Sequence, residues 1–346
     1  MPEPLPSAAT SPVLPRAPER LVEGGAPRFG VWSGSVADCA LGGLRDPWPR
    51  GLAKLLVEKK WVYALVASPE AFLCLAIVDA GILHSGFCAV LDRRSGALLL
   101  DENPVLPPLC ASVADDPGAG LRARLTGPGV HVEVRSAGAG ARAVRISGRW
   151  GRATLDLALD GVRAPAPLSA CADLGGQRFD FTQKSPLLAA SGEVIVGRQV
   201  LRFDGAPAGL DFTHGFLRRH TDWRWAFAAG ESGGRPVAFN FSEGFLGSGH
   251  PENVVWLDGA PAPAGGVAFS FDPKDPRAPW FLRGAGVELE FTPEGQRAQD
   301  VDVLGLLASR YVQPFGTFRG FVTAPGGARV SIDGLAGVTE DHSATW

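Results

Sequence analysis

The sequence predicts an all-β fold that consists of two consecutive antiparallel β-barrels or sandwiches. Short apolar runs recur at intervals of about ten residues and are separated by Gly, Pro and Asp, which is typical of strands joined by turns. Many runs alternate apolar and polar residues, so that one face meets a core and the other meets water. This rhythm predicts roughly 16 to 18 strands. Because a small barrel closes with about eight strands, two units are expected.

The strands are clearest in the first third of the chain. Residues 60–67, 72–78, 86–91 and 97–100 are apolar runs of strand length, and residues 92–96 supply turn chemistry before the last run. These runs predict an antiparallel meander. Further alternating segments predict strands at residues 130–135, 143–146, 154–159, 193–203, 267–271, 287–291, 317–322 and 328–332. Only residues 48–56 follow a helical pattern, which Gly51 weakens.

The chain is expected to divide into three segments. Residues 1–28 are rich in proline and lack a hydrophobic period, so we expect a flexible leader there. The remainder is long enough for two domains, each with its own core. We place an N-terminal β-barrel domain at residues 29–205 and a C-terminal β-barrel domain at residues 206–346, with the boundary at a turn predicted for residues 204–209.

Composition argues against several classes of function. The 33 basic and 36 acidic residues give a net charge of −3 at pH 7, so the chain lacks the basic footprint of a protein that binds nucleic acid. The least polar stretch, residues 80–91, is too short to span a bilayer, and the N-terminus has no apolar signal-peptide core. We therefore expect a soluble, cytoplasmic protein.

The sequence contains no recognisable motif for a metal or a cofactor. The five cysteines are widely spaced and include no CxxC pair, so they indicate buried free thiols rather than a disulfide framework or a zinc site. A GxSxG nucleophile elbow, a P-loop, an HExxH helix and a dinucleotide-binding glycine motif are also missing. We expect neither a metal nor a cofactor.

Polar chemistry concentrates at three places, and residues 211–225 are the densest. This segment holds His214, Asp222, Trp223 and Trp225. On a strand, His214 and His220 would lie about 20 Å apart, too far to share a metal. Trp223 and Trp225 would point the same way, and a core-packing pair of indoles is the alternative to a ligand-binding role.

Residues 239–256 form the second cluster around a glycine-rich turn. Asn240, Glu243, Glu252 and Asn253 lie here, and both faces of the predicted strand mix apolar and polar groups. Polar groups that point into a barrel interior often orient a ligand, which would explain this mixing. A hydrogen-bonded loop anchor is the structural alternative.

The third cluster, residues 337–346, closes the sequence. Glu340 and His342 share a strand face, so a carboxylate could orient an imidazole for acid–base catalysis. A frayed terminal tail is the alternative reading. Outside the clusters, Lys184 draws notice as one of five lysines, although a surface lysine is its ordinary interpretation.

Together these segments resemble a bacterial family, the domain-of-unknown-function 2804 family, from about residue 29 to the C-terminus. The resemblance rests on Thr182-Gln183-Lys184, Asp211-Phe212-Thr213-His214-Gly215, Trp223-Arg224-Trp225-Ala226, Asn240-Phe241-Ser242-Glu243-Gly244, Glu252-Asn253, Phe291-Thr292-Pro293, Gln313-Pro314-Phe315-Gly316 and Glu340-Asp341-His342 with Trp346. No activity follows from this resemblance.

More remotely, the chain is similar to lipocalin-like carotenoid hydratases (hydroxyneurosporene synthases) and AttH-like proteins. That similarity implies two consecutive lipocalin-like, calycin-type barrels that enclose apolar ligands. The chain lacks the His-Asn-Trp-Gly run of those relatives, so no hydratase residue is carried over.

The leading hypothesis is an enzyme that acts by acid–base chemistry on an apolar isoprenoid or acyl-type small molecule, through hydration, isomerisation or cyclisation. A carboxylic acid buried beside Trp or Phe would donate the proton, and His214 and His342 would orient or relay it. The candidate acids are Asp222, Glu243 and Glu340; the candidate ligand-binding residues are Trp223, Trp225, Asn240, Glu252, Asn253, Lys184 and Gln313. A non-catalytic carrier of hydrophobic metabolites and a β protein with a filled core are the alternatives, and the oligomeric state stays open.

Overall fold

The computed structural model of this protein describes residues 14–45, 48, 51–138, 143–246, 251–303, 307–324 and 326–345. Within these residues the chain forms 25 strands and one short helix, and the strands of every sheet pair antiparallel. The prediction of an all-β, antiparallel fold is confirmed. The predicted strand number was too low, since short strands such as β1 and β2 carry no recognisable alternation.

The first 16 strands and the helix precede residue 217. They are β1 (Val22–Glu23), β2 (Ala26–Pro27), β3 (Gly30–Ser33), α1 (Leu52–Val57), β4 (Glu58–Ala67), β5 (Ala71–Asp79), β6 (His84–Asp92), β7 (Ala97–Glu102), β8 (Val105–Leu106), β9 (Ala111–Val113), β10 (Arg122–Gly127), β11 (Val130–Ser136), β12 (Ala143–Trp150), β13 (Ala153–Asp160), β14 (Leu168–Gly175), β15 (Arg178–Val196) and β16 (Gln199–Phe216).

The remaining nine strands follow residue 219. They are β17 (His220–Ser232), β18 (Arg235–Glu243), β19 (Val254–Leu257), β20 (Ala260–Pro263), β21 (Val267–Ser270), β22 (Trp280–Gly284), β23 (Val287–Val303), β24 (Leu307–Thr323) and β25 (Arg329–Thr345).

Strands β3 to β16 form a 14-stranded first sheet, whose main path runs β7-β6-β5-β4-β16-β15-β13-β12-β11-β10-β9. The predicted meander is present as β4 to β7. The sheet curves back on itself, because β9 at one end lies against β4 and β5. Its concave face encloses an apolar core that includes the fully buried Phe179, Phe181 and Trp150.

Strands β17 to β25 form a nine-stranded second sheet in the order β20-β19-β18-β17-β25-β24-β23-β22-β21. It also curves back, since β21 lies against β18, and it encloses a separate core of Phe239, Phe291, Phe318 and neighbouring aliphatic residues. Two consecutive antiparallel units, each with its own core, therefore follow each other along the chain, as predicted.

The transition between the sheets lies at residues 217–219, after the predicted turn at residues 204–209. Those residues lie inside β16, which continues from Gln199 to Phe216. Pro207 also lies in this strand, at a point where β16 pairs only with β15, because pairing with β4 begins at Ala208. A proline is tolerated there because the missing N–H has no partner strand to bond. Residues 193–203, predicted as one strand, are the hairpin between β15 and β16.

The expected flexible leader is also corrected for residues 14–28. Leu21 is fully buried in the core of the first sheet, β1 pairs with β2, and Arg16 forms a bridge to Ser33. Burial of one leucine contributes about 2 kcal/mol, which helps to fix a proline-rich segment that has no period of its own. Residues 1–13 lie outside the described residues.

The two sheets pack face to face through a third apolar cluster. Leu65, Phe72 and Ala89 of the first sheet meet Phe227, Trp256 and Val338 of the second. The closest approach is at Gly209 of β16, where an added Cβ would lie 2.3 Å from the ring of Phe227. A glycine is required at this position so that the ring can reach the strand backbone.

Candidate ligand and catalytic site between the two sheets

A cavity of about 270 Å³ lies between the facing surfaces of the two sheets, close to the lower end of the range for small-molecule sites. Most of its wall is aromatic or aliphatic. The aromatic members are Trp61, Tyr63, Phe87, Trp223, Trp225, Phe245 and Tyr311. A cavity with this wall favours an apolar ligand.

Strand register explains why the polar lining residues converge. Tyr63 of β4 pairs with Asp211 of β16, which pairs with Lys184 of β15, so the three side chains form one row across the first sheet. In the second sheet, Trp223 of β17 pairs with His342 of β25. Residues two positions apart share a face, which adds further side chains above and below each row.

The first polar group of the cavity is a buried lysine between two carboxylates. The Lys184 ammonium lies 2.9 Å from Asp211 and 3.1 Å from Glu252, and Thr182 donates a hydrogen bond to Asp211. Burial by itself would lower the pKa of Lys184, but the two carboxylates raise it above the ordinary value. Burial also raises the pKa of Asp211. The lysine is therefore a fixed cation that joins the sheets.

The second polar group is built around Glu340. Its carboxylate accepts hydrogen bonds from the Trp223 indole at 2.9 Å and from the Gln313 amide at 2.7 Å. The Nδ1 atom of His342 lies 3.3 Å from the same carboxylate. Three donors thus hold one carboxylate in a fixed orientation beside the cavity.

His342 is oriented on every side. Its ring lies over Trp223 at a centroid distance of 4.0 Å, and its Nε2 atom lies 2.9 Å from the Ser309 hydroxyl. Because an ionised carboxylate only accepts hydrogen bonds, Glu340 favours the tautomer with the proton on Nδ1. The Nε2 atom is then the acceptor, and Ser309 donates to it. This leaves a basic nitrogen at the cavity wall.

The Tyr63 hydroxyl is a donor without a partner. Tyr63 is 6% exposed, lines the cavity and has no hydrogen-bond partner for its hydroxyl among the described residues. Burial raises the pKa of the hydroxyl well above its ordinary value, so it stays protonated. A ligand oxygen in the cavity would supply the missing acceptor.

A buried arginine closes the cavity at another wall. Arg297 is 1% exposed and lies between the rings of Phe87 and Tyr311, with its guanidinium carbon 3.7 Å and 4.7 Å from their centroids. It donates hydrogen bonds to Asp101, Asn103 and the Tyr311 hydroxyl. These contacts hold Arg297 and Tyr311 together.

Six of the predicted site residues line this cavity together. They are Lys184, Trp223, Trp225, Glu252, Glu340 and His342. Gln313 lies directly behind them, where it donates to Glu340. The three polar clusters of the sequence meet because β15, β17, β25 and the loop before β19 face one another.

Three of the predicted catalytic residues lie elsewhere, and the structure corrects this expectation. His214, Asp222 and Glu243 each neighbour a lining residue in sequence, so their side chains point to the opposite face of the strand. His214 is buried in the first sheet and bonds Glu58 at 2.9 Å; burial lowers its pKa.

The other two lie at the surface. Asp222 is exposed and accepts hydrogen bonds from Ser343 and His220, which lower its pKa. The Glu243 side chain is 36% exposed and pairs with Arg224 at 3.0 Å. Neither carboxylate lines the cavity.

The two predicted asparagines position other residues. Asn240 accepts a hydrogen bond from the Trp225 indole at 2.8 Å, which fixes the orientation of this lining residue. Asn253 accepts from the backbone N–H of Ser242 and donates to Gly265, which anchors the loop that carries Glu252. The alternative of a hydrogen-bonded loop anchor describes Asn253.

Sequence reasoning missed Tyr63, Asp211, Arg297 and Ser309. Tyr63 lies within an apolar strand, and Asp211 was noted only as part of a dense segment. Arg297 and Ser309 lie in 17-residue strands whose middle parts show no clear alternation. Only the pairing of β23, β24 and β25 brings them to the cavity.

Neither a metal cluster nor a spanning helix is found in the described part of the chain. No group of three or more His, Cys, Asp or Glu side chains in it could hold a metal ion. Its helix is also too short to cross a membrane.

Comparison with known proteins agrees with the family resemblance of the sequence. A family model described as "Domain of unknown function (DUF2804)" matches residues 17–346. No curated protein matches the chain.

Several solved structures are similar over most of the chain. CghA is 12% identical with a TM-score of 0.54, and the match covers 96% of this chain and 97% of CghA. The structure of CghA with Sch210972 is also 12% identical, with a TM-score of 0.53, and the match covers 92% of this chain and 98% of that one. Kievitone hydratase from Nectria haematococca is 11% identical with a TM-score of 0.49 over 87% and 93%. An AttH protein from Nitrosomonas europaea is 13% identical with a TM-score of 0.49 over 87% and 96%. The CghA structures show that the fold is shared.

Proposed function

This chain belongs to the DUF2804 family, and we propose that it binds an apolar small molecule between its two sheets and catalyses proton transfer on that molecule. The observation that carries the proposal is the His342 imidazole, held by Glu340 and Trp223 with its Nε2 atom at the wall of an aromatic cavity. Such an oriented imidazole is the usual group for general acid–base catalysis.

Three side chains have separate roles in this proposal. His342 takes a proton from one atom of the bound molecule or of an attacking water and returns it to another. Tyr63 donates a hydrogen bond to an oxygen of the molecule and stabilises negative charge that develops there. Lys184 adds a fixed positive charge on the same wall. These groups are sufficient for hydration, isomerisation or cyclisation by acid–base catalysis, none of which needs electron transfer.

Two features favour a neutral organic molecule as the substrate. Among the charged side chains that line the cavity, three carboxylates outnumber two cations, which disfavours an anionic ligand. The carboxylates are those of Asp211, Glu252 and Glu340, and the cations are Lys184 and Arg297. The structure of CghA with Sch210972 supports a small organic molecule as the ligand of this architecture.

The test is deuterium exchange on the molecule that the protein carries. The protein is purified gently from an extract of producing cells, a captured compound is identified by native mass spectrometry, and the complex is transferred to D2O. We expect deuterium at carbon in the compound, or addition of D2O across a double bond. The His342→Gln variant should lose this exchange by roughly 100-fold or more while it still binds the compound.

Glu243→Gln is the matched control, since Glu243 is a surface acid outside the cavity. Its exchange rate should equal that of the wild-type protein. A captured compound that takes up no deuterium would instead identify a carrier, which is the alternative function. A protein that emerges without any captured compound from a saturating extract would argue against both.

A further inference from the structure

We propose that Ser309 is a nucleophile and that the same cavity cleaves esters or thioesters of apolar acyl compounds through an acyl-serine intermediate. The inference rests on the proposed function in using the same cavity and the same base, His342. It adds a covalent acyl-serine intermediate and names esters or thioesters as the substrate class, neither of which follows from proton transfer alone.

The geometry is that of a serine, a histidine and a carboxylate in series. The Ser309 hydroxyl lies 2.9 Å from Nε2 of His342, and Nδ1 of His342 lies 3.3 Å from Glu340. A serine is a weak nucleophile unless a base accepts its proton and a third group orients that base. Here each of the three groups makes the contact that its role requires.

The series is held rigidly by residues outside it. Trp223 supports the imidazole by ring contact and also donates its indole N–H to Glu340, so one side chain fixes two members. Gln313 donates to the second oxygen of Glu340 and is itself fully buried. This support distinguishes the arrangement from a chance contact of surface side chains.

Ser309 can be reached from the cavity. It lies on β24 two residues before Tyr311, so both side chains face the cavity, and it is half-buried. The negative oxygen of a tetrahedral intermediate needs a donor that the protein does not already use. The Tyr63 hydroxyl is such a donor on the same cavity, because it has no partner among the described residues.

The reaction balances without any cofactor. The Ser309 oxygen attacks the carbonyl carbon while His342 takes the hydroxyl proton, and the C–O or C–S bond then breaks as the proton passes to the departing alcohol or thiol. Water, activated by the same imidazole, next attacks the acyl-serine bond. The acyl group leaves as a carboxylic acid, and the Ser309 hydroxyl is restored.

The experiment uses an apolar alkyl fluorophosphonate on the full chain. Attack by Ser309 forms an O–P bond and expels fluoride, which adds a stable mass that peptide mapping assigns to one residue. We expect one adduct, at Ser309, that is lost in Ser309→Ala and forms roughly 100-fold more slowly in His342→Gln. The rate at which the protein hydrolyses p-nitrophenyl hexanoate should fall in the same two variants, Ser309→Ala and His342→Gln.

Ser112→Ala is the matched control, because Ser112 is an exposed serine of β9 that does not line the cavity. It should label and hydrolyse like the wild-type protein, and thermal melts should confirm that every variant is folded. Absence of an adduct, an adduct at another residue, or labelling that is unchanged in His342→Gln would overturn the proposal.

The deuterium experiment separates the two proposals. If Ser309→Ala retains deuterium exchange and the wild-type protein takes no label, proton transfer stands and the nucleophile fails. If Ser309 is labelled and no exchange occurs on a captured compound, the nucleophile stands and proton transfer fails.

Discussion

The Lys184 ammonium lies 3.1 Å from the Glu252 carboxylate, and this ion pair joins the two sheets at the cavity. Lys184 belongs to β15 of the first sheet, whereas Glu252 precedes β19 of the second. Both side chains are about 5% exposed, and Asp211 completes the cluster at 2.9 Å. A lone charge in this position would be costly, so the cluster couples the cavity wall to the relative position of the sheets.

Removing the cation should therefore destabilise the protein strongly. Lys184→Met leaves the carboxylates of Asp211 and Glu252 without their cation and should lower the free energy of unfolding by about 3–5 kcal/mol. Urea unfolding at pH 7 measures this loss. Lys274→Met, at an exposed turn lysine, is the control and should change stability by less than about 0.5 kcal/mol. A loss below about 1 kcal/mol for Lys184→Met would contradict the structural role.

Tyr63→Phe should separate binding from stability. The Tyr63 hydroxyl is buried without a partner, so its removal should leave the free energy of unfolding unchanged or raise it. Affinity for a captured oxygen-bearing compound should fall by roughly 5- to 30-fold, the value of one hydrogen bond. Thermal melts and calorimetric titration measure the two effects.

Tyr311→Phe is the matched control for this experiment. The Tyr311 hydroxyl accepts a hydrogen bond from Arg297 and donates one to Asn103, so its removal breaks two hydrogen bonds and should cost about 1–3 kcal/mol of stability. Equal losses of stability in the two variants would show that the Tyr63 hydroxyl is not a free donor.

Asp180 should make the protein less stable at high pH. Its carboxyl group is fully buried and has no hydrogen-bond partner among the described residues, and burial beside Glu252 raises its pKa well above the ordinary value. The folded state thus binds the proton more tightly than the unfolded state does. The stabilisation is fully present below about pH 4 and is lost as the pH rises towards the raised pKa.

Asp180→Asn tests this sign directly, because the amide cannot ionise. The difference in free energy of unfolding between the variant and the wild type should shift in favour of the variant with rising pH, by up to about 1.4 kcal/mol per pH unit. Urea unfolding at pH 5, 7 and 9 suffices. A constant difference over this range would sink the prediction.

Glu58 and His214 should make the protein less stable at low pH, whereas Asp180 makes it less stable at high pH. Burial of Glu58 raises its pKa, but the hydrogen bond to His214 and the positive charges of His214, Lys60 and Lys54 together outweigh burial, and the pKa of Glu58 falls to about 2. Its contribution is present above pH 4.5 and is lost as the pH falls towards 2. Burial lowers the pKa of His214, so stability already declines as the pH falls below about 6.5.

Glu58→Gln should remove the loss of stability between pH 4.5 and 2 and leave most of the loss that begins below about pH 6.5. The slope of the free energy of unfolding against pH between 4.5 and 2.5 should decrease relative to the wild type, as measured by thermal melts at several pH values. A slope equal to that of the wild type in Glu58→Gln would contradict the assignment.

The fold could be predicted because its signal is local. Alternation along β11 and β13 and the runs of β4, β5 and β6 each report burial of single strands, and burial repeats every two residues. The failures lie where local signals mislead: residues 204–209 inside β16 were taken for a turn, and the packed residues 14–28 were taken for a leader. In both places pairing with a distant segment overrides the local preference.

The candidate site was predicted in part for the same reason. Glu340 and His342 share one strand, so their convergence follows from the strand period alone. Whether an acid such as Asp222 or Glu243 faces the cavity depends on which face of its strand the first sheet covers, and a shift of one position along the strand reverses the answer.

By itself, then, the sequence determined the all-β class, the succession of two antiparallel units and the chemical types that gather at residues 211–225, 239–256 and 337–346. The tertiary structure decided which of those groups meet. Ser309 reaches His342 only through the register of β24 with β25, and Lys184 reaches Glu252 only because the two sheets pack together. The physical reason is that strand formation is local, whereas a site between two sheets is set by pairings of segments that lie tens of residues apart.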